Sequence, residues 1–190
     1  IAYPLTVFDC SLVTDGSAFL VLAATDIAKK ISGKRAIEVI GCGQAGDTLT
    51  AATKKSLIDL TATRLAAKQA YAMAGLEPND IDFAEVHDCF TITQLLNIED
   101  LGFFAKGTGA KATLEGKTHR DGLKPINVSG GLKAEGHPIG ATGISQIYEI
   151  VTQLRGEAGP RQLSKAGIGL THNLGGTAAT CVVSIFRGVS

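Results

Sequence analysis

The chain has no tryptophan, one methionine and few aromatics, seven Phe and three Tyr in 190 residues. It also lacks an excess of either charge, with 18 Lys and Arg against 18 Asp and Glu. With no basic tract and no aromatic-basic interleaving, the composition points away from nucleic acid and from a polybasic membrane patch. The longest apolar run, Ala18 to Ala24, falls far short of the roughly 20 residues a membrane-spanning helix needs. Four cysteines, Cys10, Cys42, Cys89 and Cys181, form no CxxC pair and no zinc-finger spacing, so no metal site is expected. Three of them lie in apolar runs and are expected to be buried small hydrophobes. No secretory signal opens the chain, which makes a reduced, cytoplasmic compartment the expectation. The first residues are Ile1-Ala2-Tyr3-Pro4 rather than Met, which suggests a fragment, a processed chain or a start within a longer protein.

What is present is an ordinary globular composition enriched in glycine, 45% hydrophobic and 19% charged with 23 Gly. Its length suits one domain, or one domain and a piece of another, and can bury roughly 70% of the unfolded chain's surface. Ser17 to Ala24, after the turn Asp15-Gly16, is apolar throughout and predicts a strand buried on both faces. A short helix follows from Asp26 to Ile31, then Gly33, then a strand over Ala36 to Gly43. Ala62, Ala66, Ala70, Met73 and Ala74 repeat at helical spacing and predict a helix over Ser56 to Ala74, capped by Gly75. The pattern continues as a strand (Ile81 to Val86), a helix (Phe90 to Asp100) and a charged, glycine-rich excursion over 105–122 without periodicity. A short strand at Pro125 to Val128 comes next, then a helix through Ile144 to Leu154 ending at Gly156. Two strands, Ala166 to Thr171 and Ala178 to Phe186, close the chain. Strands alternating with helices, ending in one hairpin, predict an α/β fold.

Two histidine-bearing segments stand out where strands give way to a helix or a glycine turn. The first is Glu85-Val86-His87-Asp88-Cys89-Phe90. A thiol at a helix start feels the positive end of the helix dipole, which favours the thiolate, and His87 lies toward the same side of the strand end. Taken alone, these residues read first as a buried structural Cys beside a backbone-bonded His, with Asp88 capping the helix. The second is Gly130-Gly131-Leu132-Lys133-Ala134-Glu135-Gly136-His137-Pro138-Ile139-Gly140. There Gly136 permits a tight turn, Pro138 fixes the exit, and Gly140 and Gly143 allow close approach to a ligand. A His held in this way can take a proton from a thiol near neutral pH; the other reading is a glycine-rich helix start that accommodates packing or a phosphate. A third segment, His172-Asn173-Leu174-Gly175-Gly176, offers backbone N–H groups that suit an oxyanion hole, and taken alone it reads as a hairpin turn.

In this order, His-Asp-Cys-Phe, then Gly-His-Pro-Ile-Gly-Ala-Thr-Gly, then a glycine turn before the last strand, the chain resembles the C-terminal half of a thiolase. It is most similar to the sterol-carrier-protein-type and archaeal acetyl-CoA acetyltransferase branch. The resemblance covers nearly the whole chain, with Asp15-Gly16-Ser17-Ala18 matching the entry to the last strand of the N-terminal domain. It implies a thiolase-like C-terminal domain over 33–190, with a five-stranded mixed sheet covered by helices. Residues 1–32 would be the tail of the N-terminal domain, contributing one strand and a short helix.

The implied reaction is thiolysis of a 3-ketoacyl-CoA, or its reverse, a Claisen condensation of two acyl-CoA molecules. A coenzyme A thioester is the substrate, and no covalently bound cofactor or metal is implied. Carried over position by position, His137 activates the nucleophile and binds the thioester oxygen. His87 stands where many thiolases place an Asn that holds an oxyanion-hole water. Cys89 is the acid/base at the substrate α-carbon, a role many thiolases give to a cysteine in the final glycine turn. That turn position is His172 here, so Cys89 takes the role or His172 shares it. Leu174, Gly175 and Gly140 are the expected oxyanion-hole and substrate-binding positions. The family's nucleophilic Cys belongs to the N-terminal domain, and Cys10, Cys42 and Cys181 lack its setting. The expected partners are therefore an acyl-CoA, an N-terminal thiolase half and/or a second copy of the chain, with no nucleic acid and no membrane span. Two other readings share the scaffold: a non-catalytic acyl-CoA or lipid-binding module, and a carbon–carbon lyase. No CoA contact is assigned among Lys106, Lys111, Lys117 and Arg120.

Overall fold

In a computed structural model, which describes residues 1–31 and 33–189, the chain forms a mixed sheet with helices on both faces. The strands are β1 (Ile37–Gly46), β2 (Phe83–Val86), β3 (Ile168–Gly175) and β4 (Thr180–Gly188), in the order β1-β4-β3-β2. β4 runs antiparallel to both β1 and β3, and β2 pairs parallel to β3. The helices are α1 (Thr25–Ile31), α2 (Thr61–Ala74), α3 (Thr91–Asp100), α4 (Gly109–Leu114), α5 (Gly131–Glu135) and α6 (Thr142–Arg155). Gly75 and Gly156 end α2 and α6 in the left-handed conformation, as their positions after the last periodic residue predict.

Two layers of core flank the sheet. On one face, Ala62, Ala66 and Ala70 of α2 pack with Ala84, Val86, Leu170, Cys181, Val183 and Ile185. On the other, Ile150 and Leu154 of α6 pack with Phe83, Leu163 and Phe186. The alanine stripe lets α2 lie almost on the strand backbone, which is why β1 carries Gly41 and Gly43 beneath it. A β-carbon at Gly43 would overlap the Ala66 carbonyl oxygen and come within 2.8 Å of Gln69 Cβ. Gly43→Ala is therefore expected to cost about 1–3 kcal/mol through overpacking, read as a lower urea midpoint. An unchanged midpoint would mean that α2 can lift without cost.

Three expectations are corrected. The sheet has four strands rather than five, because Pro125 to Val128 contributes only one parallel bridge, Ala84 with Ile126. Asn127 turns the chain away at φ +52°, and its side-chain Oδ1 accepts the Val86 N–H at 2.7 Å, where a strand carbonyl would have stood. Ser17 to Ala24 forms no strand, since no ladder among the described residues takes up its backbone groups. Phe19 and Val21 are instead 88% and 90% exposed. With α1, β1 and α6 this segment lines an apolar cavity of about 730 Å³. Finally, Cys42 is exposed and Cys10 half-buried, and of the three only Cys181 is a core residue. The 105–122 excursion holds the short helix α4. Among the described residues no helix is long and apolar enough to cross a membrane.

Candidate active site

The site forms where β2 ends. His87 N–H donates to the His172 carbonyl at 2.9 Å, extending the parallel ladder one residue past Val86. Side chains alternate along a strand, so Glu85 and His87 share the α6 face while Val86 faces α2. The His87 ring is 4% exposed, and its carbonyl is held by Asn97 Nδ2 at 2.8 Å. Burial, then the neighbouring His137, pushes its pKa down to about 4, so the ring is neutral at physiological pH.

His137 meets it edge to face, with ring centroids 5.0 Å apart. Its ring polarity follows from one neighbour. Thr142 Oγ1 donates its single proton to the Pro138 carbonyl at 3.2 Å and stands 2.7 Å from His137 Nδ1. With its proton given to the carbonyl, the hydroxyl accepts from Nδ1 and Nε2 is the free base; the opposite tautomer would need that proton turned from the carbonyl to Nδ1. Burial lowers the His137 pKa from 6.5, which keeps it unprotonated.

Cys89 lies between His87 and α3, half-buried, with Sγ 3.9 Å from Thr93 Oγ1. The expectation of a thiolate is corrected: burial first, and the nearby Asp88 charge, raise the Cys89 pKa above its ordinary value. The thiol sits ahead of the Phe90 cap rather than within the first turn, so desolvation outweighs the helix dipole, whose influence fades within a turn. Asp88 does not cap α3 either. Its Oδ1 accepts the Leu132 N–H at 2.9 Å, and a β-carbon on Gly131 would overlap its Oδ2. It thus ties the first signature to the glycine turn leading to His137.

A strap from the start of the chain binds the two signatures from the other side. Ser11 N–H donates to the Cys89 carbonyl at 2.9 Å, and Leu12 accepts from His137 N–H at 3.0 Å. Adjacent residues thus hold the thiol and imidazole segments together. Thr14 and Gly16 continue the strap against Gly136 and Pro138.

His172 is not part of this cluster. It is fully buried on the α2 face, with Nε2 3.0 Å from Thr63 Oγ1 and Nδ1 unpartnered. Burial, then His87, lowers its pKa to about 3. The next residue, Asn173, faces α6 instead and reaches His87 Nδ1 at 3.4 Å and Gln146 Oε1 at 3.3 Å. Sequence reasoning missed Asn173, Gln146 and Thr142; strand alternation through 172–173 was the signal for the first. Leu174 has its side chain buried in the core beside Leu60 and Ala178. Because the His172 backbone points to the β2 side of β3, alternation turns the Leu174 N–H to that side too, beyond the end of β2. Gly175 pairs with Thr180 in the hairpin, and Gly140 is exposed in the turn before α6.

Chemically, the arrangement offers a basic nitrogen and a neutral imidazole on the α6 side of one sheet end, with a half-buried, protonated thiol two residues beyond His87, beside Thr93 of α3. The pattern of the family described as "Thiolase C-terminal domain-like" matches residues 43–188. The chain is similar to an acetyl-CoA acetyltransferase of Methanothermobacter thermautotrophicus, 48% identical over 186 residues, which are 98% of this chain and 48% of that protein. It is also similar to human sterol carrier protein 2, at 39% identity over 96% of this chain and 34% of that protein. Among solved structures it resembles an "Ltp2-ChsH2(DUF35) aldolase" with a TM-score of 0.84 and 25% identity, over 99% of this chain and 48% of that one. The chain thus spans half or less of the length of these relatives.

Proposed function

Since the chain belongs to the thiolase C-terminal domain-like family, we propose that it is the acid/base and oxyanion half of a thiolase-type acyltransferase, completed by an N-terminal half that carries the nucleophilic cysteine. The observation that carries this reading is the pair of neutral imidazoles 5.0 Å apart; Cys89, two residues beyond His87 in the chain, supplies a thiol that burial keeps protonated.

In thiolysis, His137 Nε2 takes the proton of the nucleophilic thiol, whose sulfur adds to the keto carbon of a 3-ketoacyl-CoA. The C2–C3 bond then breaks, leaving an acyl thioester on the nucleophile and an acetyl-CoA enolate. Cys89 S–H protonates that enolate at carbon, a role suited to a thiol of raised pKa. Free CoA then gives its thiol proton to the Cys89 thiolate, its sulfur adds to the acyl thioester, and the nucleophile leaves as a thiolate that regains its proton from His137. His87, the protonated His137 and the Leu174 N–H are the donors we assign to the developing oxyanions. Of the two alternatives for the acid/base role, Cys89 alone or Cys89 with His172, we assign the first, because His172 is fully buried beside Thr63 on the α2 face. Residues 1–32 belong, in this reading, to the N-terminal domain. The exposed apolar run through Phe19, Val21 and Leu22 supports that, as it needs a partner to bury it.

The test is complementation. The chain alone, with acetoacetyl-CoA and CoA, is expected to release no acetyl-CoA, whereas the chain joined to an N-terminal thiolase half should turn over. Turnover by the chain alone would sink the divided-site reading. The likeness to an aldolase favours a second reading, a carbon–carbon lyase; cleavage of a 3-hydroxyacyl-CoA without CoA would select it. Binding of acyl-CoA with neither reaction would select a binding module.

A further inference from the structure

We propose that Gln146 and Asn173 are positioning residues that set the tautomer of His87, keeping its proton on Nε2 so that the ring acts as a hydrogen-bond donor toward a thioester oxygen. The tautomer assignment rests on geometry alone, and its use as an oxyanion donor rests on the function proposed above.

The argument runs along a one-way chain of amides. Gln146 is 5% exposed on α6, and its Nε2 donates to the His172 carbonyl at 3.1 Å. That carbonyl has no proton to give, so the Gln146 amide cannot turn over without losing the bond. Its Oε1 therefore faces Asn173 as an acceptor, and Asn173 must present Nδ2, 3.3 Å away. The same NH2 group stands 3.4 Å from His87 Nδ1. Two donors cannot share that contact, so Nδ1 carries the lone pair and the proton resides on Nε2. Turning the Asn173 amide would bring its oxygen against Gln146 Oε1, an unpaired clash of acceptors on the buried α6 face.

The chain gives the two imidazoles opposite polarity. Thr142 puts the His137 proton on Nδ1 and frees Nε2 as base, while Asn173 does the reverse for His87. The low His87 pKa of about 4 agrees with a ring whose Nδ1 meets a neutral amide rather than a carboxylate. The carboxyl groups on this face are engaged elsewhere, Glu85 with Ser129 and Glu149 with Arg161, which leaves the amides to decide.

The experiment is long-range 1H–15N NMR of the histidine-labelled chain, which needs neither substrate nor N-terminal half. In the unaltered chain His87 Nδ1 is expected to show the shift of an unprotonated ring nitrogen. In Asn173→Asp the carboxylate should draw the proton to Nδ1 and raise the His87 pKa. In Gln146→Leu the freed amide should give a mixture of tautomers. In the complemented enzyme, Asn173→Asp should lower kcat about 10²-fold at neutral pH, the usual cost of one oxyanion donor. It should recover on acidification as His87 regains Nε2–H, a response that mere loosening would not produce. A protonated Nδ1 in the unaltered chain overturns the inference whether or not either variant folds. A tautomer as stated, with kcat unchanged in Asn173→Asp, would support the relay and overturn the oxyanion role.

Discussion

Replacing His137 with alanine in the complemented enzyme is expected to lower kcat/KM for acetoacetyl-CoA thiolysis by about 10²–10⁴-fold, the range set by loss of a positioned general base. The reason is local. Thr142 Oγ1 holds Nδ1 at 2.7 Å and leaves Nε2 to act as the base, a role that neither of the other two side chains can take over. His87 has its lone pair occupied by Asn173, and Cys89 holds its proton. The pH profile should carry the same signature. Burial lowers the His137 pKa below 6.5, so protonation should silence the base only below the ordinary imidazole range. Cys89 acts as an acid with a raised pKa, so the alkaline limb should lie above the usual thiol range. His137→Ala should remove the acidic limb along with the activity. A loss of less than tenfold, or an acidic limb that survives the substitution, would place the base elsewhere.

Much of this fold was legible because helices announce themselves through period and cap. The alanine repeat and Gly75 marked α2, and the apolar spacing with Gly156 marked α6. The order of the signatures carried the family, which the match over residues 43–188 bears out, although the first segment alone also reads as a structural Cys beside a backbone-bonded His. What was not legible depended on tertiary context. The fifth strand was lost to a single residue: Asn127 adopts φ +52° and replaces a ladder carbonyl with its own side chain, which composition does not encode. Ser17 to Ala24 carries the strand pattern, but a strand exists only through pairing, and no ladder among the described residues takes it up. The sign of the Cys89 shift turned on burial against a dipole, a contest between two effects that sequence alone leaves unweighed. The most instructive placement is that of His172. Reading His172 to Gly176 as a turn removed the alternation that would have separated His172 from Asn173. β3 in fact runs through Gly175, and one residue of register decides which of the two reaches the site.

A second large effect is expected at Glu85, this time on stability. The side chain is 2% exposed, and its carboxyl takes the Ser129 hydroxyl at 2.6 Å and the Ser129 N–H at 3.2 Å. Burial is the largest influence on it, with Glu149 and Glu135 adding like charge; together they outweigh the Ser129 bonds and push the pKa up to about 8. Arg161 feels the Glu85 charge but is already paired with Glu149 Oε2 at 2.7 Å. The unfolded chain releases this proton near 4.5 and the folded chain keeps it until about pH 8. Between those limits the native state binds more protons, so stability falls as pH rises through the window. Glu85→Gln supplies a neutral amide of the same shape, whose oxygen still accepts from Ser129 N–H and whose NH2 can donate to its hydroxyl. Urea unfolding at pH 8 should find the variant more stable by on the order of 3 kcal/mol, while at pH 4.5 the two proteins should nearly coincide. A variant less stable than the parent at pH 8 would mean that the carboxylate is solvated or paired there. The Ser129 contacts would then be holding a charge rather than a proton, and the link from β2 to the His137 turn would strengthen, not weaken, with rising pH.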